Sequence, residues 1–294
     1  MDSPNRTVTI PMRLSELHPR RFFLETWRAM DEAAAKERLA RAEAGKGYDT
    51  GPLVAFCLGA ALLALMEYWG SHQGLIALLR FLSERGFGDG SPTLGLRSSP
   101  YWELYQHAWW ALSRVLGFFV APALVIALRR ERIRDHGLSL DGLRGHAWVY
   151  ALCYAVVFVC VLAVSFDPEF TRYYPFYRQS HRSLLDFGLW ELLYAAQFFG
   201  LEFFFRGYWL KAARSSMGSQ AIFAMVVPYV MIHFGKPLPE TLAAIIAGVV
   251  LGTLAMRTGS IWSGFLIHVS VAITMDVAAL VQTTGLPETL LPVL

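Results

Sequence analysis

The chain has 294 residues, of which 55% are hydrophobic and only 17% charged, against the roughly 25% charged content of soluble globular domains. The net charge of +3 is small, and its basic residues cluster in loops between apolar runs, which excludes a nucleic-acid surface and fits the positive-inside pattern. Cys57, Cys153 and Cys160 all fall in apolar stretches without a CxxC pair, so neither a disulfide framework nor a thiolate metal site is implied.

Residues 1–50 are rich in charge and carry no signal-peptide pattern; they read as a cytoplasmic N-terminal region. Within it, 20–43 predicts an amphipathic helix, with Phe23, Trp27, Met30 and Ala34 on one side and Arg28, Glu32 and Lys36 elsewhere. Such a helix suits either the membrane surface or the ends of the spans. Apolar runs follow at about 52–69, 104–128, 147–166, 187–210, 219–234, 240–257 and 260–284, most near the ~20 residues a spanning helix needs. Residues 74–83 predict a further interfacial or re-entrant element. The expected fold is all-α: a polytopic membrane helical bundle of seven or eight transmembrane helices with an intramembrane polar cavity. Residues 51–186 hold the N-terminal transmembrane helices, 187–284 the core helices and 285–294 a short tail. Arg129, Arg130, Arg132, Arg134 and Arg144, with Lys211 and Arg214, place their loops and the N-terminus in the cytoplasm.

Charged side chains inside a spanning helix cost a few kcal/mol each and so usually face the bundle interior or a cavity. Glu202 and Arg206 in LEFFFRG stand four apart, on one helix face and within ion-pair reach. His233 ends the fifth run and His268 lies inside the seventh. Singly, each histidine suits a hydrogen-bonded place between helices. Together with Glu202 they offer the groups that activate water directly or bind a metal that does so. Asp276, eight residues after His268 with Ala272 midway, borders the same cavity or snorkels to pair with Arg206 or Arg257. Ala244, Gly248 and Gly252 form a stripe for close helix approach, and Pro228 weakens the helix before His233. Lys236 and Glu240 fit a charged short loop or the mouth of a site. Gly86-Phe87-Gly88-Asp89 matches the GxGD of aspartyl intramembrane peptidases, but in polar sequence outside any span; HExxH and GxSG are absent.

LEFFFRG, YVMIH and TGSIWSGFLIH, in this order across about 190–280, resemble the three motifs of the CAAX protease and bacteriocin-processing (CPBP) intramembrane peptidases. The resemblance implies an intramembrane endopeptidase of the CAAX-processing type that hydrolyses a peptide bond in a membrane-associated or lipidated protein or peptide. It implies that a glutamate and a histidine activate water, the first glutamate of the motif usually being the base; with Leu201 at that position, Glu202 is expected as base or metal ligand, His233 as its partner in holding water, His268 as oxyanion donor or ligand and Arg206 as the group fixing Glu202. It leaves open whether a divalent metal such as zinc takes part, with Glu202, His233 and His268 as ligands. Three positions depart from the family pattern: Leu201 replaces the first glutamate, Tyr229 a phenylalanine and Ala272 an asparagine. Asp276 is a second polar group one to two turns beyond that asparagine position. The expected setting is a bacterial plasma membrane, among membrane lipids and without nucleic acid. Three other readings keep the fold: a degenerate membrane adaptor or immunity-type protein, a proton-coupled transporter using the same acids and histidines, and an enzyme acting on a lipid.

Overall fold

The computed structural model describes residues 14–86, 92–140 and 143–292, which leaves Phe87, Gly88 and Asp89 of the GxGD match outside the described residues. All regular elements among the described residues are helical. A π-helical turn, Arg20–Glu25, leads into α1 (Thr26–Glu43), followed by α2 (Thr50–Tyr68), α3 (His72–Glu84) and α4 (Pro92–Arg97). The next helix runs as α5 (Trp102–Val115), a π turn (Leu116–Val120) and α6 (Ala121–Leu128), and then come α7 (Leu143–Val164) and α8 (Pro168–Tyr173). Helix α9 (Leu184–Glu202) continues through π-helical Phe203–Trp209 into α10 (Leu210–Met217); α11 (Gln220–Met231), α12 (Leu238–Thr258) and α13 (Trp262–Gln282) complete the order.

Among the described residues, five helices are long and apolar enough to cross a bilayer: α2, the continuous Trp102–Leu128, α7, α12 and α13. This is the pattern of an integral membrane protein. Asp186, Glu191 and Gln197 dilute the apolar character of α9, and α11 is apolar but only 12 residues long. Pro228 lies inside α11, near its end. Pro228 has no N–H and crowds the preceding turn, and the chain leaves the helix three residues later, with His233 N donating to Val230 O at 2.9 Å. Helix α12 ends on Gly259, whose φ of 64° is the left-handed cap that glycine tolerates.

The chain divides into two compact units. One comprises Met1–Gly59, Pro122–Val156 and Glu202–Ile267; the other comprises Ala60–Ala121, Val157–Leu201 and His268–Leu294. In the first, the small-residue stripe of α12 faces α11 closely: a methyl group on Gly248 would stand 2.9 Å from Val226 Cγ2, and one on Gly252 3.1 Å from Met225 Cε. Helix α1 docks on this unit. Met30 and Ala34 are buried, and Trp27 Nε1 donates to Thr253 Oγ1 at 3.1 Å. Asp31 accepts from Ser219 N at 2.7 Å and Ser219 Oγ at 3.2 Å, capping α11 from outside. Of the two placements open to this amphipathic segment, the structure shows packing on the helices. Arg257 joins it by pairing with Glu16 at 2.7 Å.

In the second unit Leu104, Tyr177, Trp190, Tyr194 and Ala272 form one core cluster, and Val161, Phe170, Tyr174 and Ala279 another. The start of α9 is secured twice. Ser183 Oγ accepts from Asp186 N at 3.0 Å and donates to Asp186 Oδ2 at 2.8 Å. Leu184 N and Leu185 N donate to Thr289 O and Leu290 O at 2.9 and 3.1 Å, so the tail satisfies amides that a helix start leaves without partners.

Asp31→Ala is expected to cost about 1–2 kcal/mol, the usual loss for a helix cap, with Asp31→Asn recovering part of it. Thermal unfolding in detergent followed by circular dichroism checks this. An unchanged midpoint in Asp31→Ala would contradict the docking of α1.

Candidate active site

The run Phe203–Trp209 adopts a π-helical turn, and every residue of it is buried. Such turns are uncommon and concentrate at functional sites. Glu202 and Arg206 flank its first half. Both are withdrawn from solvent, at 0% and 3% exposure, with Glu202 Oε1 3.0 Å from Arg206 Nη1. The spacing of four thus yields the predicted ion pair. Removing both charges from water is expensive, and the mutual attraction only offsets that cost, so stability alone is a weak reason to keep such a pair.

Three further residues of the same unit shape the pair. The Arg206 guanidinium lies 4.1 Å from the ring centroid of Tyr229, a cation–π contact strengthened by burial. The aromatic ring at position 229 thus covers one face of the guanidinium. Gly264, near the start of α13, leaves the room that the Glu202 carboxylate occupies, since a methyl group there would collide with both carboxylate oxygens' carbon and Oε2. His233 sits in the turn after α11, its ring 4.9 Å from that of Tyr229. Its Nδ1 is 2.8 Å from Tyr229 O. A carbonyl oxygen only accepts, so Nδ1 carries the proton and Nε2 is the basic nitrogen of the neutral ring. Thr241 Oγ1 holds the His233 carbonyl at 3.0 Å, and Lys236 pairs with Glu240 at 2.6 Å.

The other predicted residues fall in the second unit, along α9 and α13. Phe198 stacks on His268 with centroids 5.2 Å apart, Tyr194 shares a cluster with Ala272, and Trp190 Nε1 donates to Asp276 Oδ2 at 2.6 Å. Residue numbers fall on one helix as they rise on the other, so the two run antiparallel in steps of four. Asp276 is fully buried and also shares a side-chain hydrogen bond with Glu191. It therefore does not snorkel, and Arg257 pairs with Glu16 instead. The asparagine position of the third motif, Ala272, is packed among aromatic rings, and Leu201 is a buried core residue.

Residues 181–274 match the family model described as Rce1-like: type II CAAX prenyl endopeptidase Rce1-like. The segment is thus similar to that family over about a third of the chain. The match bears out the resemblance carried by the three sequence motifs, and the Rce1-like segment contains Glu202, Arg206, His233 and His268 but stops short of Asp276. No curated protein and no solved structure matches the chain.

Among the described residues no group of three or more His, Cys, Asp or Glu side chains is placed to hold a metal ion. The Glu202 carboxylate is turned to Arg206 and to Gly264. Two contributors in the matched segment were not singled out by sequence as site residues: Gly264, an unremarked position inside the third motif TGSIWSGFLIH, and Trp190, one of nine tryptophans.

Arg206→Met strands a buried carboxylate and is expected to cost about 3–5 kcal/mol. The pair Glu202→Gln with Arg206→Met should recover most of that loss. Gly264→Ala should destabilise comparably, through its collision with Glu202. Thermal unfolding of the three variants beside wild type is the check; a double variant no more stable than Arg206→Met would argue against a coupled pair.

Proposed function

We propose that this chain is an intramembrane endopeptidase of the CAAX-processing type, in which Glu202 and His233 activate a water molecule against a peptide bond. The single observation that carries the reading is the solvent-excluded Glu202–Arg206 pair on an Rce1-like segment, joined through Tyr229 to a histidine whose Nε2 is basic. Glu202 accepts a proton from water as its oxygen attacks the carbonyl carbon. His233 Nε2 orients that water. The tetrahedral intermediate breaks the C–N bond, and the proton passes from Glu202 to the leaving amine. Arg206 and Tyr229 hold Glu202 in one rotamer. His268, stacked on Phe198, is the proposed oxyanion donor. With Leu201 apolar, the reading assigns the base role to Glu202 alone.

The proposed substrate is a membrane-associated or lipidated protein or peptide, the matched family being one of prenyl endopeptidases. The proposed topology has seven or eight spans, α9 and α11 joining the five apolar helices, with a cytoplasmic N-terminus in a bacterial plasma membrane. A degenerate adaptor or immunity-type protein is the reading to which the departures at Leu201 and Ala272 point.

A second reading, proton-coupled transport, draws on the hydrogen bond between Glu191 and Asp276. Two carboxyl groups so joined hold one proton between them, as intramembrane proton relays do.

Peptide release by the purified protein from CAAX-type and generic membrane peptides tests the main reading. Glu202→Gln and His233→Ala are each expected to reduce turnover by about 10²-fold or more with folding intact. Wild-type protein that cleaves nothing, or variants that cleave equally well, would sink the assignment; substrate-driven acidification of liposomes lost in Asp276→Asn would then favour transport.

A further inference from the structure

The loop between α6 and α7 carries the arginines that set topology, yet one of its residues is deeply buried. His136 is 3% exposed. Its Nδ1 lies 3.2 Å from Gly207 O, the carbonyl of the residue after Arg206, and its Nε2 lies 3.1 Å from Glu131 Oε2. The approach is mutual. A methyl group on Gly207 would stand 2.5 Å from His136 O, so only glycine lets the loop come this close to the π turn.

The same loop reaches the other wall of the Glu202 pocket. Ile261 N donates to Gly137 O at 3.0 Å, Ser260 Oγ to Ser139 O at 3.2 Å and Trp262 Nε1 to Leu138 O at 3.2 Å. Gly137 has φ +83°, and a methyl group there would stand 2.7 Å from Ile261 Cγ2. Residues 260–262 lead directly into Gly264, whose missing side chain makes the space for the Glu202 carboxylate. Four consecutive loop residues thus bind the π turn that carries Arg206 and the helix start that carries Gly264.

We propose that residues 136–139 are a clasp that sets the width of the Glu202 pocket, with His136 as its positioning residue. His136 touches neither Glu202 nor Arg206 in this role. It acts by fixing the carbonyl of Gly207 relative to residues 260–264. A carbonyl accepts only, so the imidazole Nδ1 must donate. Glu131 holds the far side of the ring and is itself paired with Arg129 at 3.0 Å. Lys211 and the Tyr208 ring, 6.3 Å away, are the other polar and aromatic groups that face it. As a statement about catalysis, the proposal rests on the Glu202–Arg206 reading; as a statement about local structure it does not.

The test uses full-length protein in detergent and compares wild type with His136→Ala and His136→Asn, the latter placing an amide donor where Nδ1 lies. Backbone amide hydrogen exchange is measured over 203–212 and 259–266, and peptide turnover in parallel. His136→Ala is expected to speed exchange in both stretches by about tenfold, the effect of losing one well-placed hydrogen bond, and His136→Asn to restore most of it. Turnover should follow the same order through kcat, with KM within about twofold. Unchanged exchange in His136→Ala, or His136→Asn behaving like His136→Ala, would overturn the clasp. If exchange responds as expected while wild-type protein cleaves no peptide, the clasp stands and the peptidase reading fails.

Discussion

A carboxylate and a guanidinium 3.0 Å apart and closed off from solvent impose demands on everything around them. Each charge would be intolerable alone in a medium of low polarity. Their burial therefore requires that neither side chain leave its place, and the surrounding residues can be understood as meeting that requirement. Tyr229 covers the guanidinium with a π face, Gly264 yields the volume for the carboxylate, and the π turn fills its own surroundings with Phe203, Phe204 and Phe205. The pair is thus preorganised, which is what the proposed chemistry on a water molecule would ask of its base.

The two units are stiffened in different ways. The one that holds the pair relies on backbone proximity, through glycines at 207, 248, 252 and 264, where main chains or side chains approach too closely for a Cβ. The other relies on aromatic mass: Trp190, Tyr194, Phe198, Phe176 and Tyr177 interlock, and the buried acid Asp276 is tied to an indole N–H. An amide at position 272 would have to find partners inside that aromatic packing, a physical reason for alanine there.

Helices and their charged pair were legible in the sequence because both follow local rules. Apolar runs and the spacing from Glu202 to Arg206 need only the helical period, and Pro228 marks the end of α11 within three residues. What stayed hidden depended on partners distant in sequence. Nothing near Asp276 announces Trp190, 86 positions away, although both helices carry their polar and aromatic residues in steps of four. His136 was masked by its setting: in an arginine-rich loop its charge neighbours argue for topology, and only the fold reveals Gly207, 71 residues on, as the acceptor. The π turn is likewise unmarked, since FFFRGYW reads as ordinary α-helix.

The paired backbone of the tail bears on what the last residues contribute. Thr289 and Leu290 accept from Leu184 and Leu185, so the beginning of α9 and these tail residues are neighbours in space. A helix start leaves its first amides without partners of its own. Removing the tail would therefore strip acceptors from the first turn of α9, the helix that carries Trp190, Tyr194 and Phe198, so residues with no chemistry of their own hold in place the aromatic wall that receives Asp276 and His268.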